Sequence, residues 1–269
     1  MLVLADTHVH LYDCYDLNKA FASAFENLDG LVKLESGDAL ADKAFLALFL
    51  TEKKDCHFFN KLKSGSLHPD GNDYVIEQCS ENNVLLVRNR QGKALYLFAG
   101  RQIVTSERLE VLALTTDLDI SDGGSICDII KQIISGGGVP VLPWAPGKWF
   151  GHRGEIVSSL LESASPAQLL VGDTSMRPLG WGVPYIMKEA ARKGFKIVAG
   201  TDPFPFEGQE NLIGKYGISF SAEFDLQRPV SELRRLLTSP GVSISLAGRR
   251  DCPFTVARRL LLNSRKKAG

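Results

Sequence analysis

Between residues 109 and 262, short apolar runs alternate with amphipathic segments, and this alternation restricts the chain to few folds. Each apolar run has the length of a buried strand, and each amphipathic segment has the spacing of a helix. Such alternation predicts βα units around a parallel sheet. The strand-like runs are 109–114, 139–142, 169–171, 196–199, 218–220 and 242–246, and the helical segments are 126–134, 156–161, 185–192, 230–237 and 253–262.

The first half of the chain adds two buried strands and a region with different spacing. Apolar runs at 2–5 and 44–50 predict the strands. Short β-type runs follow, separated by Asn82-Asn83 and Gln91-Gly92, which are typical of hairpin turns. We therefore expect a β-hairpin insertion over about 55–98 and seven or eight βα units in total, enough to close an α/β barrel.

Length and charge narrow the class of protein. The chain has 269 residues, an ordinary length for a single barrel domain over 1–269. Its 31 basic and 31 acidic residues balance, which argues against nucleic acid or a membrane as partner. The five cysteines form no CxxC pair, and no signal peptide or long apolar run is present, so we expect a cytoplasmic location. The oligomeric state stays open.

Polar residues at two predicted strand ends indicate a metal site. His8 and His10 follow the first strand, and their spacing of two puts both imidazoles on one face of an extended chain. Asp202 follows the strand at 196–199, and in a parallel barrel both ends lie at the same mouth. Two imidazoles and a carboxylate suit a divalent ion. The alternatives are a structural histidine pair and a turn aspartate beside Pro203.

The segment from Asp6 to His10, Asp-Thr-His-Val-His, resembles the first motif of the PHP (polymerase and histidinol phosphatase) family. Amidohydrolases also open with His-x-His, but later segments favour PHP by their order. That resemblance implies a distorted (β/α)7 TIM-like barrel and metal-dependent phosphoester hydrolysis. The later matching segments are 100–105 with 109–114, 137–144, 200–204 and 213–217.

Several metal ligands of the PHP pattern are replaced in this chain. Lys53, Gln102, Glu110, Trp144 and Phe204 stand where the family has ligand histidines or a glutamate. The surviving set is His8, His10 and Asp202, with Gln102 as a neutral fourth ligand. The resemblance therefore implies at most one divalent ion (zinc, manganese or iron) or none.

The remaining site assignments follow from charge and position. Asp6 and Glu110 are candidate proton acceptors or groups that orient a histidine. Lys53 could replace a metal's positive charge, paired with Glu52, Glu110 or a substrate phosphate. Lys148 and Arg177 are candidates to bind an anionic group, and Trp144 belongs to an aromatic loop that either recognises a planar ligand or fills the mouth.

Three functions are consistent with this pattern. The first is a PHP-type phosphoesterase that uses a single ion on a small anionic, phosphorylated substrate. The second is a catalytically inactive PHP-like barrel that binds a small ligand or a protein partner. The third is an amidohydrolase, which usually needs further histidines after the middle strands. Carboxylates at the mouth would favour an enzyme, whereas Trp144 and Phe204 filling it would favour the inactive barrel.

Overall fold

The sheet of this protein is nearly closed into a barrel and is surrounded by helices. The structure is a computed structural model, and it describes residues 1–36 and 44–268. These ranges contain eleven strands and seven α-helices, which confirms the predicted α/β barrel class. Within the described ranges, no helix combines the length and apolar character that crossing a membrane requires.

The elements lie close to the segments predicted from apolar spacing. They are β1 (Leu2–Val9), α1 (Leu17–Ser36), β2 (Phe45–Glu52), α2 (Phe58–Ser64), β3 (Tyr74–Gln78), β4 (Val84–Asn89), β5 (Ala94–Val104), β6 (Glu110–Leu114), α3 (Ile126–Ser135), β7 (Val139–Pro143), α4 (His152–Ser163), β8 (Leu170–Thr174), α5 (Tyr185–Arg192), β9 (Ile197–Gly200), β10 (Tyr216–Ser221), α6 (Pro229–Thr238), β11 (Ser245–Gly248) and α7 (Pro253–Ala268).

Seven strands form the barrel wall in the order β1, β2, β5, β6, β7, β8, β9. The wall closes where β9 returns to β1. There the Thr7 hydroxyl donates to the Ala199 carbonyl at 2.8 Å, and the Asp202 amide donates to the His8 carbonyl at 2.9 Å. The carboxyl ends of β1 and β9 therefore meet at one mouth, as the sequence predicts.

The sheet is mixed, and the expectation that the strands from residue 109 onward are parallel is wrong for β6 and β10. β6 runs antiparallel to both β5 and β7, and β10 runs antiparallel to β1. Apolar runs have the same composition in either direction, so their spacing does not reveal strand orientation. The antiparallel β6 brings its first residue, Glu110, to the mouth beside Val104 of β5.

Apolar side chains on the inner faces of the strands fill the barrel. Val3, Phe49, Leu112 and Val141 belong to this inner cluster, and apolar residues of α6 pack against it. α6 closes the amino-terminal end of the barrel, opposite the mouth, because Arg234 donates to the Thr115 carbonyl after the antiparallel β6 and the Leu236 carbonyl accepts from Lys196 just before β9. Two further clusters pack α1 and α2, and α3 to α5, against the outer face of the sheet.

The region predicted as a hairpin insertion divides into two parts. β3 pairs antiparallel with β4, and β4 pairs antiparallel with residues 94–98 across the predicted Gln91-Gly92 turn; residues 94–98 also form the first half of the barrel strand β5 and pair in parallel with β2. The hairpin turn reaches α6, where the Glu81 carboxylate accepts hydrogen bonds from the amides of Val230 and Ser231. Since α6 closes the end opposite the mouth, this contact puts the hairpin turn away from the mouth.

Glu52, at the end of β2, is a buried acid that anchors α2. Its Oε1 accepts a hydrogen bond from the Phe59 amide at 2.8 Å, and its Oε2 lies 3.6 Å from the Arg101 guanidinium. Burial raises the pKa of Glu52 to about 7, although the Phe59 amide and Arg101 act in the opposite direction. The folded protein therefore holds a proton on Glu52 more tightly than the unfolded chain does.

We predict that replacing Gly200 with Ala destabilises the barrel where it closes. An added Cβ would collide with the amide and Cβ of His8 and would approach Oδ1 of Asp6 to 2.8 Å. The expected loss is about 1–3 kcal/mol in the free energy of unfolding. Gly30→Ala is the matched control. A Cβ added to this glycine of α1 would have no atom within 4 Å, and the replacement should stabilise the folded protein by about 0.5–1 kcal/mol. Denaturant titration measures both; equal stability of Gly200→Ala and wild type would contradict the prediction.

The raised pKa of Glu52 predicts a pH-dependent stability. Protonated Glu52 contributes its full stabilisation of the folded state below its ordinary pKa of about 4.5. This stabilisation is lost as the pH rises through about 7. Glu52→Gln keeps an acceptor for the Phe59 amide and carries no charge. The unfolding free energy of wild type minus that of the variant should therefore fall by up to about 3 kcal/mol across this window. A difference that stays constant with pH would exclude a raised pKa at Glu52.

Candidate metal centre

Three potential metal ligands converge at the mouth where β9 returns to β1. The Nε2 atoms of His8 and His10 lie 3.1 Å apart, and Oδ1 of Asp202 lies 3.6 Å from the first and 3.4 Å from the second. A register shift between Asp6 and Val9 in the pairing of β1 with β2 accompanies this arrangement. Both histidines are buried, and the side chain of Asp202 is 20% exposed.

These separations fit a shared ion. Metal–ligand bonds of about 2.0–2.2 Å that diverge by about 90–110° separate neighbouring ligand atoms by about 2.9–3.5 Å. The three distances lie within or close to this range, and the trio is a group that could hold a metal ion. The Oε1 atom of Gln102 lies 3.2 Å from Nε2 of His8, so an amide oxygen is available as a fourth donor.

The protonation states also suit a cation. Burial lowers the pKa of His10 to about 4, so its imidazole is neutral and has a lone pair available near neutral pH. Burial alone would raise the pKa of Asp202. The opposing effects of His8, His10 and Lys53 are larger and hold that pKa well below its usual range. The trio thus presents two imidazoles and one carboxylate.

Asp6 supports the trio from beneath instead of facing the mouth. Its Oδ1 accepts hydrogen bonds from the amides of His8 and Thr201, and its Oδ2 accepts from the Thr201 hydroxyl and the Gly214 amide. The side chain is fully buried, and burial raises its pKa to about 6. Asp6 therefore contacts His8 through its backbone amide; the sequence led us to expect a proton acceptor or a group that orients a histidine.

Arg259 on α7 holds the residue that carries the carboxylate ligand. Its buried guanidinium donates to the Asp202 carbonyl at 2.9 Å, to Asp251 at 2.6 Å and to Gln209 at 2.8 Å. Asp202 adopts φ 47°, a left-handed conformation that non-glycine residues rarely adopt, so it needs such support. The sequence gives no sign of this role, because Arg259 follows another arginine in an amphipathic helix.

Charged residues flank the trio on the inner face of the barrel. Glu110, the first residue of β6, pairs with Lys148 at 3.2 Å. Lys53 donates to the Tyr12 hydroxyl at 2.9 Å. Burial is the main cause that raises the pKa of Tyr12. The charges of Asp202 and Glu110 act in the same direction, so both carboxylates influence this phenol. Tyr12 was missed because nothing in the sequence separates it from other loop tyrosines.

Glu52 does not pair with Lys53, contrary to one of the expected pairings. Adjacent residues on a strand point to opposite faces. Glu52 lies on the outer face with Arg101, whereas Lys53 contacts Tyr12 and acts on His10. The positive charge of Lys53 is thus directed to the mouth, but its partner is a phenol.

The guanidinium of Arg177 forms hydrogen bonds within the protein. Its guanidinium forms two bonds to Asp173 and a third, at 2.9 Å, to the Trp181 carbonyl. Tyr216 donates to the same Asp173 carboxylate at 2.8 Å. Arg177 is buried, so the expectation that it binds a substrate anion does not agree with these contacts. The spacing of four residues between Asp173 and Arg177 was the sequence signal for this ion pair.

The recorded ring contacts of the two aromatic replacements are with residues outside the trio. Trp144 is buried in the outer cluster between the sheet and α3 to α5, and its ring packs edge-on against Trp181 at 6.2 Å. The Phe204 ring lies against the Arg259 guanidinium at 5.1 Å. The trio is therefore bordered by polar side chains, and the aromatic loop contributes to a separate pocket.

Comparisons with known proteins show a shared fold. No protein-family model matches the chain, and a search of curated proteins finds no match. PsfC from Pseudomonas syringae PB-5123 has a TM-score of 0.56 at 13% identity, with 98% of each chain covered. The lesion-specific endonuclease PfuEndoQ from Pyrococcus furiosus has a TM-score of 0.55 at 10% identity; the match covers 91% of this chain and spans 58% of the endonuclease. At such identities the likeness concerns the fold alone.

Proposed function

We propose that this protein is a metal-dependent phosphoesterase of the PHP type that uses one divalent ion, zinc, manganese or iron. The observation that carries the proposal is the convergence of His8, His10 and Asp202, with the Gln102 amide, at the mouth of a barrel. A bound divalent ion would lower the pKa of a water and polarise a phosphoryl oxygen. The order of the PHP-like segments supports the same reaction class.

The flanking residues have matching roles in this proposal. Glu110 is the candidate proton acceptor, because its carboxylate faces the mouth and is 21% exposed. Lys53 and Lys148 would bind the phosphate, since Lys53 acts on His10 and Asp202 and Lys148 pairs with Glu110. Asp6 and Arg259 position the ligands through the backbone of His8 and Asp202.

The alternatives are less well supported by the contacts. An inactive barrel is weakened because Trp144 and Phe204 leave the mouth to polar groups. An amidohydrolase is weakened because, among the described residues, no third histidine joins the trio. PfuEndoQ is named as an endonuclease, but the balanced charge of this chain favours a small anionic substrate over nucleic acid.

Metal analysis of a histidine double variant tests the proposal. Purified wild-type protein should contain about one equivalent of a transition metal and hydrolyse bis(p-nitrophenyl) phosphate or p-nitrophenyl phosphate. His8→Ala with His10→Ala should lose both, because one carboxylate alone binds such ions weakly. His57→Ala with His152→Ala is the control, since both residues are exposed and lie outside the trio. Wild type without metal after incubation with zinc, manganese or iron would refute the ion site; bound metal without hydrolysis would favour the inactive barrel.

Replacing Gln102 with Glu should tighten metal binding. The amide oxygen of Gln102 lies 3.2 Å from Nε2 of His8, so a carboxylate there adds a charged ligand of nearly the same shape. We expect a gain of about tenfold or more in affinity, which corresponds to about 1.4 kcal/mol. Competition with a chelator measures the change, and Gln132→Glu, on an exposed face of α3, is the control. Unchanged affinity would remove Gln102 from the ligand set.

A further inference from the structure

All three tryptophans of the chain line one pocket beside the loops that follow β7 and β8. The chain contains three tryptophans, and Trp144, Trp149 and Trp181 border a cavity of about 470 Å³ together with Phe150 and Tyr185. No charged side chain belongs to its lining. Sites of this volume, with walls dominated by aromatic rings, are typical of small-molecule pockets.

The pocket combines an ordered wall with exposed aromatic surface. Trp144 and Trp149 are 2% and 4% exposed, whereas Trp181 is 49% and Phe150 is 57% exposed. The Trp181 carbonyl accepts hydrogen bonds from Arg177 at 2.9 Å and from Arg250 at 3.0 Å, which fixes the loop that carries this indole. Exposed aromatic rings gathered around a cavity in this way mark a ligand site.

One polar group of a residue that lines the pocket lacks a partner. The indole Nε1 of Trp149 is buried and has no hydrogen-bond partner, although a buried indole N–H usually finds one. A ligand with an acceptor at its edge would satisfy this donor, and its flat faces would stack on the surrounding rings. The lining therefore fits a neutral, planar heteroaromatic ring better than an aliphatic or charged group.

The same loop connects this pocket to the candidate metal centre. Lys148 immediately precedes Trp149, and its ammonium group pairs at 3.2 Å with Glu110 at the mouth. The pocket and the trio therefore belong to the same end of the barrel, where substrates of such folds bind. We propose that the pocket receives the heteroaromatic ring of the substrate; this rests on the proposed function, since it names the ring-bearing part of the phosphoester.

The three tryptophans also report binding directly. Protein labelled with [15N]tryptophan gives three indole N–H resonances, and Trp149→Phe assigns the one at the orphaned donor. We expect purine and adenosine, titrated in chelator without metal, to quench the fluorescence saturably and to move the Trp149 resonance downfield. Ribose and cyclohexanol should do neither. Equal binding of cyclohexanol and purine would overturn ring recognition.

Variants separate the ring contact from general effects on folding. Trp149→Phe keeps an aromatic ring without the donor and should weaken purine binding at least about fivefold, whereas Trp181→Ala, at a half-exposed position, should abolish it. Phe254→Ala is the control, because Phe254 is 78% exposed on α7 and does not line the pocket. Unchanged affinity in both tryptophan variants would refute the pocket.

The metal-free titration keeps this inference separate from the proposed function. If the wild type binds the ring but takes up no metal, the pocket proposal stands and the phosphoesterase proposal is refuted. If the wild type takes up metal and hydrolyses phosphoesters but binds no ring, the phosphoesterase proposal stands and the pocket proposal is refuted. Adenosine binding with purine inactive would assign recognition to the sugar and would also overturn the inference.

Discussion

The buried carboxylate of Asp6 is the interaction on which the rest of the site depends. β1 and β9 meet without a regular ladder, and Asp6 joins this seam by accepting four hydrogen bonds from His8, Thr201 and Gly214. A buried acid is costly unless donors surround it, so the carboxylate and its donors fix one another's positions. The seam in turn fixes the backbone of His8 and the start of the loop that carries Asp202. The spacing of the three candidate ligands therefore depends on a residue that does not face the mouth.

The second constraint acts on Asp202 from the opposite side. Its left-handed φ of 47° persists only where neighbouring groups determine it, and Arg259 supplies such a contact through the Asp202 carbonyl. Arg259 is itself fixed by Asp251, so two buried charges on and before α7 converge on the ligand loop. The carboxyl-terminal helix thereby contributes to the site, although none of its side chains belongs to the trio.

Sequence patterns anticipated the barrel and the trio for identifiable reasons. Strand and helix periods are local, and the position of His8, His10 and Asp202 at strand ends follows once the barrel class is known. Strand direction is not local, so the antiparallel β6 and the inclusion of residues 94–98 in β5 were not foreseen. Hydrogen-bond partners are not local either. Arg177, expected at the substrate, is held by Asp173, and the role of Arg259 arises only from tertiary contacts.

Under the proposed function, the charges at the mouth would suit a single ion better than a cluster. Glu110 and Lys148 pair with each other, which leaves the Asp202 carboxylate and the Lys53 ammonium as the charges nearest the histidines. A second divalent ion would face Lys53 without an additional carboxylate to offset the repulsion, and such repulsion is strong where water is excluded. With one ion, the mouth would carry a net charge of about two positive units, which complements a phosphomonoester dianion. Under the proposed function, Lys53 would supply a positive charge in place of a second ion, but an ammonium has no open coordination position with which to bind a nucleophile.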